Sequence, residues 1–135
     1  MLDDKSCSEM IEELVPEIKV VAGAADTNPW GCIHGGAMMT HLDTAGGMAA
    51  IRRSGHPVVT RVFNCEFLEP ALVGDLLSVF AEVVKVGHTS LTCRAVMVAD
   101  RFNPRTCQRT VHKVATADIV YVAIDTQGQA VPVEG

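Results

Sequence analysis

From Gly35 to Ser54 the chain has no proline, and Met38, Leu42, Ala45 and Ala49 recur at helical spacing until Gly55-His56-Pro57 ends the pattern. The spacing predicts one long helix, roughly 30 Å by helical rise. Its middle is crowded with small residues, Ala45, Gly46, Gly47, Ala49 and Ala50. These lower helix propensity but let neighbouring backbone come close. Such a helix is expected to be wrapped by other structure, not left on a surface.

The rest of the chain supplies the wrapping. After Pro57 it alternates or runs β-branched over Val58 to Leu68, Leu76 to Val86, Ser90 to Ala99 and Val111 to Ile124, with breaks at Pro70–Gly74, Gly87-His88 and Asn103-Pro104. Ile18 to Ala24 reads as a further strand, followed by the turn-rich Asp26-Thr27-Asn28-Pro29. The order β-α-β-β-β-β, with sequential strands and no second long helix, points to an antiparallel sheet in an α+β fold. About five strands would curl around the helix, leaving the other face and the edges to pair with a second subunit. Met10, Ile11 and Leu14 carry helical spacing behind Ser8, a possible cap, until Pro16 stops them. Residues 1–16 are thus expected to be an extension with at most a short helix.

A chain of 135 residues is too short for two sound cores, so 1–135 reads as a single domain. Apolar residues make up 48% and the mean hydropathy is +0.24, high for a small soluble monomer, so apolar surface between subunits is expected. The net charge of -5, with dispersed Lys and Arg, argues against nucleic-acid binding. The acidic start does not resemble a secretory signal, and no apolar run is long enough to span a bilayer, so a cytoplasmic location with no membrane partner is expected. Cys7, Cys32, Cys65, Cys93 and Cys107 form no CxxC pair and read as small buried hydrophobes in a reducing compartment.

Between the first strand and the helix lies N-P-W-G-C-I-H-G-G-A-M-M-T-H-L-D, residues 28–43. Asn28, Gly31, His34-Gly35-Gly36 and Asp43 at this spacing resemble the hotdog-fold acyl-CoA thioesterases, both the phenylacetyl-CoA branch and the broad-range bacterial acyl-CoA hydrolase branch. The second branch is similar over more of the chain: A-D-T-N (25–28), V-V-T (58–60), F-L-E-P-A-L-V-G-D (67–75), K-V-G-H-T-S (85–90) and Y-V-A-I-D (121–125) follow in its order. The resemblance implies a hotdog fold and hydrolysis of an acyl-CoA to free acid and CoA. It also implies Asp43 as nucleophile or general base, Asn28 and His34 orienting the loop, and a site at a dimer interface.

The residues themselves support this chemistry. The first amides of a helix starting near Gly35 lack intrahelical acceptors and sit at the positive end of its dipole. With glycine at 35 and 36, a thioester carbonyl can approach those N–H groups as an oxyanion site. Asp43 falls on the helical face of Gly36, Met39, Gly47 and Ala50, beside the apolar stripe. Yet Gly36 and Asp43 are separated by roughly 10 Å along the axis, too far for one Asp side chain to bridge. The amide opposite Asp43 is therefore expected from another copy of the chain. A homodimer is the minimum, and a dimer of dimers (tetramer) or a hexamer is expected. Each residue has a plainer reading as well: Asp43 as partner to Arg61 or as a structural carboxylate, Asn28 as a turn cap, His34 as a helix-start residue, Gly35 and Gly36 as a tight turn.

For coenzyme A, which belongs to the substrate and is not a cofactor, the turn Lys85, Val86, Gly87, His88, Thr89, Ser90 offers a cation and backbone donors, or is an ordinary hairpin. Arg61 interrupts the apolar set Val59, Phe63, Cys65 and Phe67 and is a second phosphate candidate, with Thr60 beside it at the family landmark. Glu69 stands where the bacterial branch usually has lysine and His88 where it often has arginine; both remove positive charge where phosphates would lie. Trp30, Met39 and Phe63 are candidates for lining an acyl pocket. No cofactor is expected, and no metal: Cys32, His34 and His41 lack a recognisable ligand spacing. The chain has no GxSxG elbow and signals no Cys–His pair, which disfavours serine or cysteine acyl-enzyme chemistry. Two other classes stay open: a hydratase or dehydratase on hydroxyacyl thioesters using His34, and a non-catalytic acyl-CoA-binding subunit.

Overall fold

The computed structural model of the chain describes residues 1–134. Its elements are α1 (Cys7–Glu13), β1 (Ile18–Val21), α2 (Gly35–Ser54), β2 (Val58–Phe67), β3 (Leu76–Val86), β4 (Ser90–Asn103) and β5 (Gln108–Ala123), with single 3-10 turns at Leu2–Asp4 and Ala24–Asp26. All five strands pair antiparallel in the order β1-β3-β4-β5-β2, and α2 packs across β2 to β5. This is the expected sheet curled around one long helix.

The helix ends where the sequence says it must. Gly55 takes the left-handed conformation (φ 71°), and its N–H closes on the Ile51 carbonyl at 2.8 Å. Met38, Leu42 and Ala45 of α2 meet Leu77, Val79, Leu91, Cys93, Ala95, Met97, Ala117 and Ile119 of the sheet in one buried cluster. The many alanines on both sides let the helix sit close to the strands.

The outer face of the sheet is not left wholly for another subunit. Leu2 and Met10 are buried against Phe80, Val96 and Val98, so the N-terminal segment covers part of that face. β4 is therefore apolar on both faces. Ser6, not Ser8, caps α1: Ser6 Oγ accepts the Glu9 N–H and Glu9 Oε1 accepts the Ser6 N–H, a reciprocal capping box. The Ser6-x-x-Glu9 spacing outweighs Ser8, which lies inside the helix.

β4 and β5 run farther than their apolar residues suggested. The ladder continues through Asp100↔Val111, Arg101↔Thr110 and Asn103↔Gln108, closed by a turn in which Asn103 Oδ1 accepts the Arg105 N–H and Cys107 adopts φ 57°. Backbone pairing there does not require apolar side chains. Among the described residues, no helix is long and apolar enough to cross a membrane.

Candidate active site

The loop before α2 is tied down at several points. Asn28 Oδ1 accepts the N–H groups of Trp30 and Cys32 at 3.0 and 3.1 Å, and the Asn28 N–H donates to the Cys32 carbonyl at 2.7 Å. Asn28 thus folds the loop through one end of its amide. Its Nδ2 has no protein acceptor among the described residues. The Ile33 N–H donates to the Ala71 carbonyl and the His34 N–H to the Asp26 carbonyl, which fixes the entry into the helix.

At the helix start, His34 is the N-cap. Its Nδ1 accepts the Gly36 N–H at 3.0 Å, which places the neutral ring's proton on Nε2. The His34 carbonyl accepts the N–H groups of Ala37 and Met38. Of the four orphan amides of this helix end, only that of Gly35 has no protein acceptor among the described residues. The expectation of two open glycine donors is corrected to one, because His34 already satisfies Gly36. Gly35 faces a cavity of about 360 Å³ lined by Asn28, Ile33, Met38, Phe67, Leu68 and Glu69 among others.

Asp43 lies in a separate cleft, with Gly36, Met39, Thr40, Thr60 and Phe63 around it. Its partner is not Arg61. Thr60 Oγ1 donates to Asp43 Oδ1 at 2.8 Å, and the Tyr121 hydroxyl lies 2.7 Å from the Asp43 carbonyl oxygen and 3.1 Å from Oδ1. Burial, and then the Asp43 charge, push the Tyr121 phenol far above its ordinary range, so it stays a donor. Gly35 and Asp43 are eight residues apart on α2, about 12 Å by helical rise.

A bulge in β2 aims Thr60. The register passes from Thr60↔Tyr121 to Val62↔Val120, so Arg61 is an extra residue and the strand changes parity there. Val58, Phe63 and Cys65 pack on the core, while Val59 and Val62 are exposed. The expected face of Val59, Phe63, Cys65 and Phe67 is corrected accordingly, since Val59 points away. Arg61 is exposed on the bulge and interrupts no buried face.

The turn proposed for coenzyme A is a hairpin docked on the chain's end. The Gly87 N–H donates to the Ser90 carbonyl, the Thr89 carbonyl accepts the Ala123 N–H, and the His88 carbonyl accepts the Val133 N–H. None of Lys85, Gly87, His88, Thr89 and Ser90 lines the cavity at Gly35 or the cleft at Asp43. The turn does stand at the Asp43 end of the sheet, since Ser90 pairs with Val122 and Leu91 with Tyr121. Met39 and Phe63 line the Asp43 cleft, but Trp30 is 82% exposed and lines neither recess. Cys32, His34 and His41 form no cluster of three ligating groups.

A family model described as the Thioesterase superfamily matches residues 31–101, which span the helix start, Asp43, Thr60 and the loop 68–75. The chain belongs to the thioesterase superfamily. It is 35% identical to the acyl-CoA thioester hydrolase YciA of Salmonella typhimurium, over 87% of this chain and 90% of that one. The YciA of Escherichia coli K12 is 36% identical with the same coverage. Among solved structures, Cj0915, a hexameric hotdog fold thioesterase of Campylobacter jejuni, superposes with a TM-score of 0.83 at 35% identity, covering 87% of this chain and 88% of that one. HI0827, a hexameric broad specificity acyl-coenzyme A thioesterase, gives 0.77 at 26% identity, with coverage of 88% and 80%. The fold of this thioesterase is therefore the hotdog fold.

Two features of this thioesterase went unread in the sequence. Tyr121 was visible only as part of a landmark phrase, and nothing in its spacing signalled a bond to Asp43. Glu69 lines the Gly35 cavity and its Oε1 accepts from His112 Nδ1 at 3.2 Å, while His112 Nε2 meets Thr110 Oγ1 at 2.8 Å. The carboxylate that replaces the usual lysine thus has a local partner 43 residues away.

Proposed function

We propose that this protein hydrolyses an acyl-CoA thioester to the free acid and CoA, with Asp43 as nucleophile or general base. The observation that carries the reading is the state of the Asp43 carboxylate: Oδ1 accepts the Thr60 hydroxyl and shares the single Tyr121 phenol proton with the Asp43 main-chain carbonyl, no cation pairs with it among the described residues, and an open cleft lies beside it. A carboxylate with an unengaged oxygen beside an open cleft can attack a thioester carbonyl or take a proton from water. The Gly35 N–H, at the positive end of α2, is the oxyanion donor, and the Nδ2 amide of Asn28 in the same cavity is the second. His34 fixes the helix start and so holds Gly35 in place. No cofactor enters the reaction; CoA comes with the substrate.

Because Gly35 and Asp43 open into different recesses, Asp43 of one protomer serves the oxyanion cavity of another. The surface supports assembly. The protomer exposes 7486 Å², against about 6,800 Å² for a compact monomer of its mass. Met39, Met48, Ile51, Val59 and Val62 are each 40% exposed or more around α2 and the unpaired edge of β2. The solved relatives named above are hexamers, and a hexamer is the assembly proposed here. In it, Trp30 and the Lys85 to Ser90 turn, with Arg61, reach substrate across subunits, the turn and Arg61 meeting the nucleotide end.

The test is thiol release over an acyl-CoA chain-length panel. Wild type turns over, and Asp43→Asn, which keeps an oxygen for Thr60 and Tyr121, loses about 10²–10⁴-fold. No turnover of any acyl-CoA by wild type sinks the reading, as does full activity in Asp43→Asn. A monomeric variant with full activity would remove the shared site. Single turnover in ¹⁸O water followed by mass spectrometry of the Asp43 peptide separates the two roles: label in the carboxylate requires an anhydride. The hydratase alternative gains nothing from the structure, since His34 Nδ1 is committed to the helix cap.

A further inference from the structure

The two oxygens of Asp43 are not equivalent. Thr60 Oγ1 and the Tyr121 hydroxyl both converge on Oδ1, while Oδ2 has no protein partner among the described residues. The same phenol oxygen stands 2.7 Å from the backbone carbonyl of Asp43, so it spans the residue's main chain and side chain. We propose that Tyr121 is a positioning residue for thioester hydrolysis, fixing the Asp43 rotamer through its hydroxyl and leaving Oδ2 as the oxygen that meets the thioester carbonyl or its attacking water. This rests on the reading of Asp43 as the reactive carboxylate.

A carboxylate on a helix face samples several rotamers unless packing or hydrogen bonds select one, and small errors in placement cost rate steeply. Thr60 alone supplies one bond from an edge strand. Tyr121 comes from β5, an interior strand, and is 2% exposed, so its hydroxyl is a fixed reference. Burial beside Asp43 also keeps the phenol protonated, hence always a donor.

Gly46 gives a second, separate observation. It lies mid-helix, where glycine is a poor choice. A Cβ built there would overlap the Tyr121 hydroxyl and come within 3.1 Å of Tyr121 Cε2 and of Ile119 Cδ1. The chain keeps a residue without a side chain at the height where the phenol passes α2 to reach Asp43. Gly46 and Tyr121 therefore form one device.

The experiment uses the assembled enzyme and four proteins: wild type, Tyr121→Phe, Gly46→Ala and the double variant. Tyr121→Phe keeps the ring and removes only the hydroxyl. Its kcat is expected to fall about 10–100-fold with KM within about threefold, the pattern of a loss felt in the transition state. Gly46→Ala lowers kcat in the wild-type background by displacing the phenol, and its effect shrinks in the Tyr121→Phe background, where the closest colliding atom is absent. Urea midpoints and oligomer size confirm that the folded assembly persists; should Tyr121→Phe fail to assemble, the split between kcat and KM in Gly46→Ala carries the same test.

Wild-type kcat in Tyr121→Phe overturns the proposal, as does a loss carried by KM with kcat unchanged, and so do losses that multiply independently in the double variant. Full activity of Tyr121→Phe beside a dead Asp43→Asn removes the Tyr121 role alone. Full activity of Asp43→Asn removes the catalytic reading and the Tyr121 role with it.

Discussion

The helix start that carries Gly35 depends on a buried ion pair two steps away, and Arg101→Met should expose that dependence. Asp75 is 1% exposed and takes three donors: Arg101 Nε on Oδ1 at 2.9 Å, Arg101 Nη2 on Oδ2 at 2.9 Å, and the Leu72 N–H on Oδ2 at 2.8 Å. Arg101 Nη2 also donates to the Pro70 carbonyl at 3.1 Å. The guanidinium therefore clamps the loop 70–75, and that loop holds Ile33 through the Ala71 carbonyl. Methionine keeps much of the stem's packing but takes away two of the three donors and the opposite charge. Leaving a buried carboxylate so exposed to its low-dielectric surroundings costs about 3–5 kcal/mol. At about 2.1 cal/mol/K per residue over 135 residues, this lowers the melting midpoint by roughly 10–18 °C. The assay is urea unfolding at one fixed protomer concentration, because assembly shifts apparent stability by mass action. The companion variant Arg101→Met/Asp75→Leu removes the stranded charge and should recover most of the loss, since an apolar pair can replace a buried ion pair nearly neutrally. A single-variant cost below about 1 kcal/mol, or a double variant no better than the single, would refute the reasoning.

Three further outcomes follow from the geometry. Asn28→Asp keeps the acceptor used by the Trp30 and Cys32 amides but replaces Nδ2 with an oxygen, so urea stability should change by less than about 1 kcal/mol while kcat/KM for acyl-CoA drops at least about 100-fold; equal losses in both would mean that Asn28 only folds the loop. Gly35→Ala puts a Cβ 3.3 Å from the Phe67 ring, so kcat/KM falls and Gly35→Ala/Phe67→Leu regains part of it, whereas no regain would mean the methyl acts on the substrate and not through the ring. Burial pushes the Cys93 thiol up to about 11, leaving about one thiolate in a thousand at pH 8; iodoacetamide should label exposed Cys107 in the native protein and Cys93 only after unfolding, as read by peptide mass spectrometry.

What could be read from the sequence was whatever depended on local pattern. The helix bounds from Gly35 to Ser54 came from the missing proline and from Gly55, whose left-handed cap the structure contains. β3 is legible to the residue because both of its flanks are breakers, whereas the β4–β5 ladder continues beyond the point where its side chains turn polar and the apolar pattern stops. The bulge at Arg61 had no local mark at all. Val58, Val59, Val62 and Phe63 are apolar on both parities, so alternation could not say which face was inward; only pairing with Tyr121 and then Val120 decides it.

The same limit applies to the candidate site. Asn28, His34, Gly35 and Asp43 stand within one loop and the first half of one helix, where helix-end physics and motif spacing could single them out. The groups that hold Asp43 come from 17 and 78 residues away, and no spacing rule links them. Thr60 reaches the carboxylate because the bulge shifts the parity of β2, and Tyr121 reaches it because Gly46 lacks a side chain. Each of these two features looks unfavourable when taken locally: an extra residue disturbs an edge strand, and a glycine weakens a helix. Their compensation is the same carboxylate, approached from two strands at one height of the helix. Two local irregularities that converge on one polar group therefore single that group out more strongly than either residue does alone.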